Sequence, residues 1–372
     1  MRADQRDAPR LRGRVRRWPR WVVPAAGLWS FGYGLAGLYW ALGGAGFPFG
    51  SGDPLAEKTF LAGARPGSTG FVIAGLGLGA ALVAAIMMAT AGRQAPRLLR
   101  GLLTVVAATA AVGLLLFIAD ARVLIATAYA LPALIGAPFG WPPVDFFEVA
   151  LPWPVQNQFL CVLGGLAWAG ATLSYRRSAR GACGDCGRGE PAADEGWTAP
   201  EPAARWGRAA VYVAAVVPFT YALERFLWAF RINVGIDDEV MTEVHESGLW
   251  VAGVALAAMA TVGAVLTFGL VRPWGETFPR WMVGLAGRRV PIPLAMVPAS
   301  LVTVGVLTTG LQYYHIELVA KPPSGLNSWI GAAPGLLMPV WGGALAAATL
   351  AYYLRRRGRC RSCGRGSAQP DR

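Results

Sequence analysis

Two short cysteine motifs contain the residues of this sequence that are best suited to chemistry. Cys183 and Cys186 stand in C-x-x-C-G-R-G, and the same pattern recurs at Cys360 and Cys363. Two such knuckles supply four thiolates, which make a closed tetrahedral zinc site. We therefore predict one structural zinc ion that clips the two halves of the chain together without doing catalysis. Separate thiol pairs, or a site completed by another subunit, are the alternatives.

The two motifs end two copies of a longer segment. Residues 165–189 and 342–366 agree at 14 of 25 positions when they are aligned at a constant offset of 177. In each copy an apolar helix leads through an Arg-rich exit to the cysteines. Further matches relate residues 31–41 to residues 219–229 at an offset of 188. The chain is therefore predicted to be a duplication of a four-helix unit.

Composition indicates a membrane protein, because 55% of the 372 residues are hydrophobic and only 15% are charged. The predicted fold is an all-α membrane protein with eight transmembrane helices in two parallel four-helix repeats. An even number of helices in each copy preserves its orientation, so the pseudo-twofold axis lies along the membrane normal. We predict the helices at 22–43, 70–92, 101–120, 157–175, 209–232, 247–270, 291–313 and 329–354.

The predicted domain organisation follows from this repeat. It comprises a cytoplasmic basic tail (1–20), a first four-helix repeat with its knuckle (21–188), a disordered cytoplasmic linker (189–207), a second repeat with its knuckle (208–366) and a short tail (367–372). Residues 123–138 are apolar but irregular, and we expect either a re-entrant or interfacial helix or an extension of the third helix.

The net charge of +13 does not indicate a nucleic-acid partner, because 28 of the 34 basic residues fall in the tails and in alternate loops. The positive-inside rule then places both termini in the cytoplasm. We predict a multi-pass protein of a bacterial plasma membrane, with the lipid bilayer as its main partner. No P-loop, dinucleotide fingerprint, G-x-S-x-G or H-E-x-x-H motif is present, so we favour a protein that is not an enzyme.

A charged pair, Glu224 and Arg225, stands inside the fifth predicted helix, where ionisable groups are costly and often functional. Neighbouring helix residues point about 100° apart and cannot pair with each other. We expect their partners among Asp120, Arg122 and Glu317. The functional interpretation is a polar cavity in a transporter or carrier of an ion or small polar solute. A structural ion-pair network is the alternative.

The two histidines, His245 and His315, are both predicted on the outer side. They could bind a cofactor in a membrane-embedded metal or haem redox protein or enzyme, act as a pH switch, or be solvated at the interface. We favour zinc at the cysteines over haem or another metal at the histidines. A third hypothesis is a membrane sensor or assembly partner, in which the zinc clip couples outer ligand binding to a cytoplasmic protein partner.

The stretch GLAGLYWALGGAGFPFG, residues 34–50, resembles the start of small four-helix actinobacterial membrane proteins of unknown function. The resemblance covers one helix and a turn. It implies a membrane helix there and no particular activity.

Overall fold

The structure is a computed structural model that describes residues 18–91, 95–136, 138, 150–189, 196–320 and 325–366. The chain divides into two compact units. The first comprises residues 1–194 and 359–368, and the second comprises residues 195–358 and 369–372. The predicted basic tail lies almost entirely outside the described residues, and so does the C-terminal tail.

The described part of the first unit contains five α-helices. They are α1 (Trp18–Ala41), α2 (Pro66–Thr90), α3 (Arg97–Val112, continued by a π-helical turn at Gly113–Ile118), α4 (Ala121–Gly136) and α5 (Trp153–Ala179). Helix α1 packs against α2 and α5, and α3 packs against α5. Glycines let α1 and α2 approach closely, since a Cβ on Gly77 would lie 2.6 Å from the Cα of Gly34.

The second unit contains six helices among the described residues. They are α6 (Pro200–Ala229), α7 (Asp238–Glu246), α8 (Leu249–Phe268), α9 (Ile292–Tyr314, continued by a π-helical turn at His315–Ala320), α10 (Gly325–Leu336) and α11 (Met338–Arg356). Helix α6 packs against α8 and α11, and α9 packs against α11. This repeats the packing pattern of α1, α2, α3 and α5.

Residues at equivalent positions occupy equivalent places in the two units. Ala171 and Tyr175 of α5 are buried in the core of the first unit, where Tyr175 shares a hydrogen bond with Thr90 (2.9 Å). Their counterparts 177 residues later, Ala348 and Tyr352 of α11, are buried in the core of the second. These similarities fit the predicted duplication, while the symmetry axis itself stays a prediction.

Seven stretches in the described part of the chain are long and apolar enough to cross a membrane. They are α2, α3 with its π-helical turn, α5, α6, α8, α9 with part of its π-helical turn, and α10 together with α11. Helix α1 has 24 residues but is not among them. It is rich in Trp, Tyr and Gly, which favour interfaces or close packing more than they raise hydropathy. The eighth span therefore stays a prediction.

Two predicted segments differ from the structure. The linker prediction is wrong for residues 200–207, which form the first two turns of α6. Pro200 stands in the first turn of that helix together with Glu201, and both residue types favour a helix start. Helix α4 is separate from α3, because the backbone is extended at Ala119. The described part of residues 123–138 is therefore not an extension of the third helix.

Candidate metal centre and buried charged sites

The four motif cysteines come together in one cluster. Their sulfur atoms all lie within 4.8 Å of one another, with Cys183 4.0 Å from Cys360 and Cys186 3.6 Å from Cys363. A tetrahedral zinc ion with Zn–S bonds of about 2.3 Å sets its sulfurs about 3.8 Å apart. All four thiols are free. The cluster could hold a metal ion, and its size and donor type fit zinc.

Each cysteine pair sits in the same tight backbone turn. The N–H of Gly187 donates to the Cys183 carbonyl (2.8 Å), and the N–H of Gly364 donates to the Cys360 carbonyl (2.9 Å). The two glycines have φ angles of +74° and +71°, a conformation that other residue types rarely adopt. The glycine after each second cysteine is therefore what allows the turn to direct both sulfurs toward one point.

The two knuckles also contact each other reciprocally. Arg188 donates to the Arg365 carbonyl (3.0 Å), and Arg365 donates to the Arg188 carbonyl (3.2 Å). Ser362 donates to the carboxylate of Asp185. Each of these contacts joins positions that are 177 residues apart, as do the contacts of Cys183 with Cys360 and of Cys186 with Cys363. The contacts around the cysteines thus follow the spacing of 177 residues between the two similar segments.

Arg177 anchors the first knuckle to the helices of the first unit. Its guanidinium donates to the carbonyls of Gly184 (2.8 Å) and Asp185 (3.1 Å) and lies 5.2 Å from the centre of the Trp18 ring. In the sequence this arginine belongs to the Arg-rich exit that follows the apolar helix. Its position in the last turn of α5, six residues before Cys183, was the signal that could have identified it.

The thiols of the cluster differ in acidity. Burial raises the pKa of Cys186 to about 12, with hydrogen bonds among the thiols adding to that shift. Burial acts in the same direction on Cys360, but backbone N–H donors of Cys363 and Ser362 lower the pKa of this thiol to about 7. A metal ion binds thiolates, so its binding displaces the protons that the cluster otherwise retains.

Arg122 forms a buried charged network in the first unit. It donates to both carboxylate oxygens of Asp53 (2.8 and 2.6 Å) and to Asp120 (2.6 Å). Gln158 also donates to Asp120, at the same oxygen, Oδ2 (2.7 Å). Asp120 and Arg122 therefore pair with each other and with Asp53 inside the first unit, and their expected pairing with Glu224 and Arg225 stays a prediction. Asp53 lies in the loop before α2 and was not among the predicted site residues.

The acidity of Asp53 reflects this pairing. Burial acts to raise the pKa of its carboxyl group, but hydrogen bonds from Arg122 and from the N–H of Leu55 outweigh burial and lower it below the usual value. Asp53 is therefore charged at neutral pH. Arg122, Asp53 and Asp120 thus form an ion-pair network within the first unit, while the alternative of such a network around Glu224 and Arg225 stays a prediction.

Glu224 in α6 has a different environment. The residue is 94% buried, and neither carboxylate oxygen has a hydrogen-bond partner among the described residues. A Cβ on Gly235 would lie 2.9 Å from Oε1 of Glu224 and 2.5 Å from the Cα of Gly331 in α10. The loop after α6 thus covers the carboxylate with the backbone of Gly235, where a larger residue would not fit.

Three of the predicted site residues gather around Tyr313 near the end of α9. This side chain lies within electrostatic range of Glu317, Arg225 and Glu224. The Arg225 guanidinium lies 3.8 Å from the centre of the Trp228 ring and 5.1 Å from that of Tyr221. Tyr313 was not identified from the sequence, because nothing in the sequence around it distinguishes it from other interfacial aromatic residues.

Asn327 of α10 holds the loop over Glu224. It accepts a hydrogen bond from the N–H of Gly235 (2.9 Å) and donates to the carbonyl of Ile236 (3.0 Å). Trp228 donates to the carbonyl of Val234 (2.8 Å). Hydrogen bonds therefore fix residues 234–236, the part of the loop that covers the carboxylate.

The two histidines are not gathered into a metal site among the described residues, where only the four cysteines form a group of three or more potential ligands. His245 lies in α7, with Nδ1 3.1 Å from the Met241 carbonyl and its ring stacked on Trp250. His315 begins the π-helical turn after α9. Their cofactor-binding role stays a prediction.

The apolar helices indicate a polytopic, all-helical membrane protein whose four clustered cysteines could hold a metal ion. Comparison with family models, with curated proteins and with solved structures gave no match.

Proposed function

We propose that this protein is a carrier for protons or a small cation in a bacterial plasma membrane, and that Glu224 is the binding group. The observation that supports the proposal is the burial of both carboxylate oxygens without a hydrogen-bond partner among the described residues. A buried polar group without a partner is costly, so it persists mainly where function requires it. The apolar helix around Glu224 makes that cost larger.

The charges near Tyr313 indicate the sign of the solute. Glu224 and Glu317 together carry two negative charges when ionised, whereas Arg225 supplies one positive charge. One proton or one monovalent cation restores neutrality. A neutral local charge is strongly favoured in a low-dielectric environment, so the cluster selects a cation over an anion.

We assign a structural zinc ion to Cys183, Cys186, Cys360 and Cys363. A closed set of four thiolates leaves no open coordination position, so the ion would stabilise the fold and take no part in transport. It would fasten residues 359–366 to the knuckle that follows α5. The positive-inside rule places this site, and both termini, in the cytoplasm.

Proton or cation flux into proteoliposomes tests the role of Glu224. We expect Glu224→Gln to reduce flux to that of protein-free liposomes, because the amide keeps the shape of the side chain but cannot ionise. Glu239→Gln is the matched control, since Glu239 is an exposed carboxylate of the second unit, and it should retain wild-type flux. Wild-type flux in Glu224→Gln, with zinc content and melting temperature unchanged, would overturn the proposal.

A further inference from the structure

The connection between α8 and α9 forms a hairpin, which we call the Trp281 hairpin (residues 276–290). Its two sides pair through Phe278 N–H to the Arg288 carbonyl (2.9 Å) and Val290 N–H to the Glu276 carbonyl (2.9 Å). The N–H of Gly287 closes the tip by donating to the Phe278 carbonyl (3.0 Å). The hairpin is therefore a defined structure with its own hydrogen bonds.

The base of the hairpin is fixed to the last turns of α11. Arg355 pairs with the carboxylate of Glu276 (3.0 Å), and Arg356 donates to the Val290 carbonyl (2.9 Å). Tyr352 donates to the Gly275 carbonyl (2.8 Å). Glu276, the partner of Arg355, is the only acidic residue of the hairpin. These contacts hold the base of the hairpin against α11.

The tip exposes large apolar side chains. Trp281 is 77% exposed and Val283 is 97% exposed. Arg280 precedes this apolar tip and Arg288 follows it, and both are exposed. The tip therefore combines an aromatic residue, aliphatic residues and positive charge, which is the composition of protein segments that lie at a membrane surface.

The corresponding connection in the first unit is much shorter. Only residues 91–96 separate α2 from α3, whereas residues 269–291 separate α8 from α9. The helices need only a short loop to reverse direction, so packing does not require the longer segment. The additional residues form the paired sides of the hairpin and its exposed tip, and an exposed apolar tip indicates a binding surface.

We propose that the tip of the Trp281 hairpin inserts into the headgroup region of an anionic lipid bilayer. The hairpin leaves α8 and returns to α9, two helices long and apolar enough to span a membrane, so it starts at a membrane surface. Arg280 and Arg288 complement anionic headgroups, and Trp281 suits the boundary between headgroups and acyl chains. The positive-inside rule assigns this loop to the cytoplasmic side, where anionic lipids provide the complementary charge.

A depth measurement on the full-length protein in lipid nanodiscs tests this proposal. A ketone-bearing amino acid replaces Val283 and is coupled to a nitroxide, so that the cysteines are not modified. Electron paramagnetic resonance then compares collision of the label with oxygen, which concentrates in lipid, and with a water-soluble nickel chelate. The reference label replaces Glu201 in the first turn of α6. That helix is 30 residues long, or about 45 Å, so its first turn extends beyond a hydrocarbon core of about 30 Å.

In nanodiscs with anionic lipid we expect the label at position 283 to collide mainly with oxygen, and the label at position 201 mainly with the chelate. Purely zwitterionic nanodiscs, or Arg280→Gln with Arg288→Gln, should make position 283 at least threefold more accessible to the chelate. Equal accessibility of positions 283 and 201 in both lipids would overturn the proposal and favour a protein partner for the tip. Equal depth in both lipids would overturn the assignment of anionic lipid.

Discussion

In the first unit Arg122 donates to Asp53 and Asp120, and Gln158 donates to Asp120, whereas in the second unit Glu224 has no hydrogen-bond partner among the described residues. The helix packing around these groups follows the same pattern in both units. The two polar sites nevertheless occupy different places, since the Arg122 network joins the loop before α2 to α4 and α5 whereas Glu224 lies in α6. One packing pattern can thus hold a satisfied structural network at one site and an unsatisfied carboxylate at another.

The largest effect is expected at the cysteine cluster, which belongs to the first unit. Cys360→Ser should reduce bound zinc from about one ion per chain to none, because a four-thiolate site loses most of its affinity for zinc when one of its ligands is removed. Elemental analysis of the purified protein measures this ratio. Cys161→Ser is the control and should retain zinc, since Cys161 is buried in α5 away from the cluster. Less than a tenth of an ion per wild-type chain would contradict the assignment.

Arg122→Met should be the most destabilising of the charge substitutions. It leaves Asp53 and Asp120 buried without their cation, which costs about 3–5 kcal/mol. Arg225→Met removes cation–π contacts with Tyr221 and Trp228, worth about 1 kcal/mol. The free energy of unfolding of each variant, measured in the same detergent as that of the wild type, gives the two losses of stability. Equal losses of stability would contradict the distinction between the two units.

Glu224→Leu should stabilise the second unit by about 1–3 kcal/mol, because it removes a buried polar group that has no partner. Asp120→Leu should do the opposite, since it deprives Arg122 and Gln158 of their acceptor. The melting temperatures of the two variants, compared with that of the wild type, show whether each substitution raises or lowers stability. A loss of stability in both variants would mean that Glu224 has a partner in the folded protein.

The smallest effect is the pH dependence contributed by Asp53. Its pKa is lower in the folded chain than in the unfolded chain, so its stabilising contribution is complete above about pH 4. That contribution is lost as the pH falls through the folded-state pKa. Stability measured between neutral and acidic pH should therefore fall less steeply in Asp53→Asn than in the wild type. Parallel curves would contradict this account of the network.

The cysteine cluster could be predicted from the sequence, because a motif of fixed spacing that occurs twice specifies both the ligands and their number. The partner of Arg122 could not, since Asp53 lies 69 residues away in a loop with no regular periodicity. Helix positions followed from apolar runs that are long enough to span a bilayer. The start of α6 was misplaced because its Pro- and Ala-rich first turns have the composition of a linker, although Pro is favoured at a helix start.

Infrared difference spectroscopy of the carboxyl groups tests the role of Glu224 most directly. Changing the proton or cation concentration around the purified protein should change the C=O band of one buried carboxyl group, and that band should be missing from the difference spectrum of Glu224→Gln. The Glu239→Gln spectrum should match the wild type. A wild-type difference spectrum that Glu224→Gln reproduces unchanged would contradict the account, because the solute would then bind elsewhere.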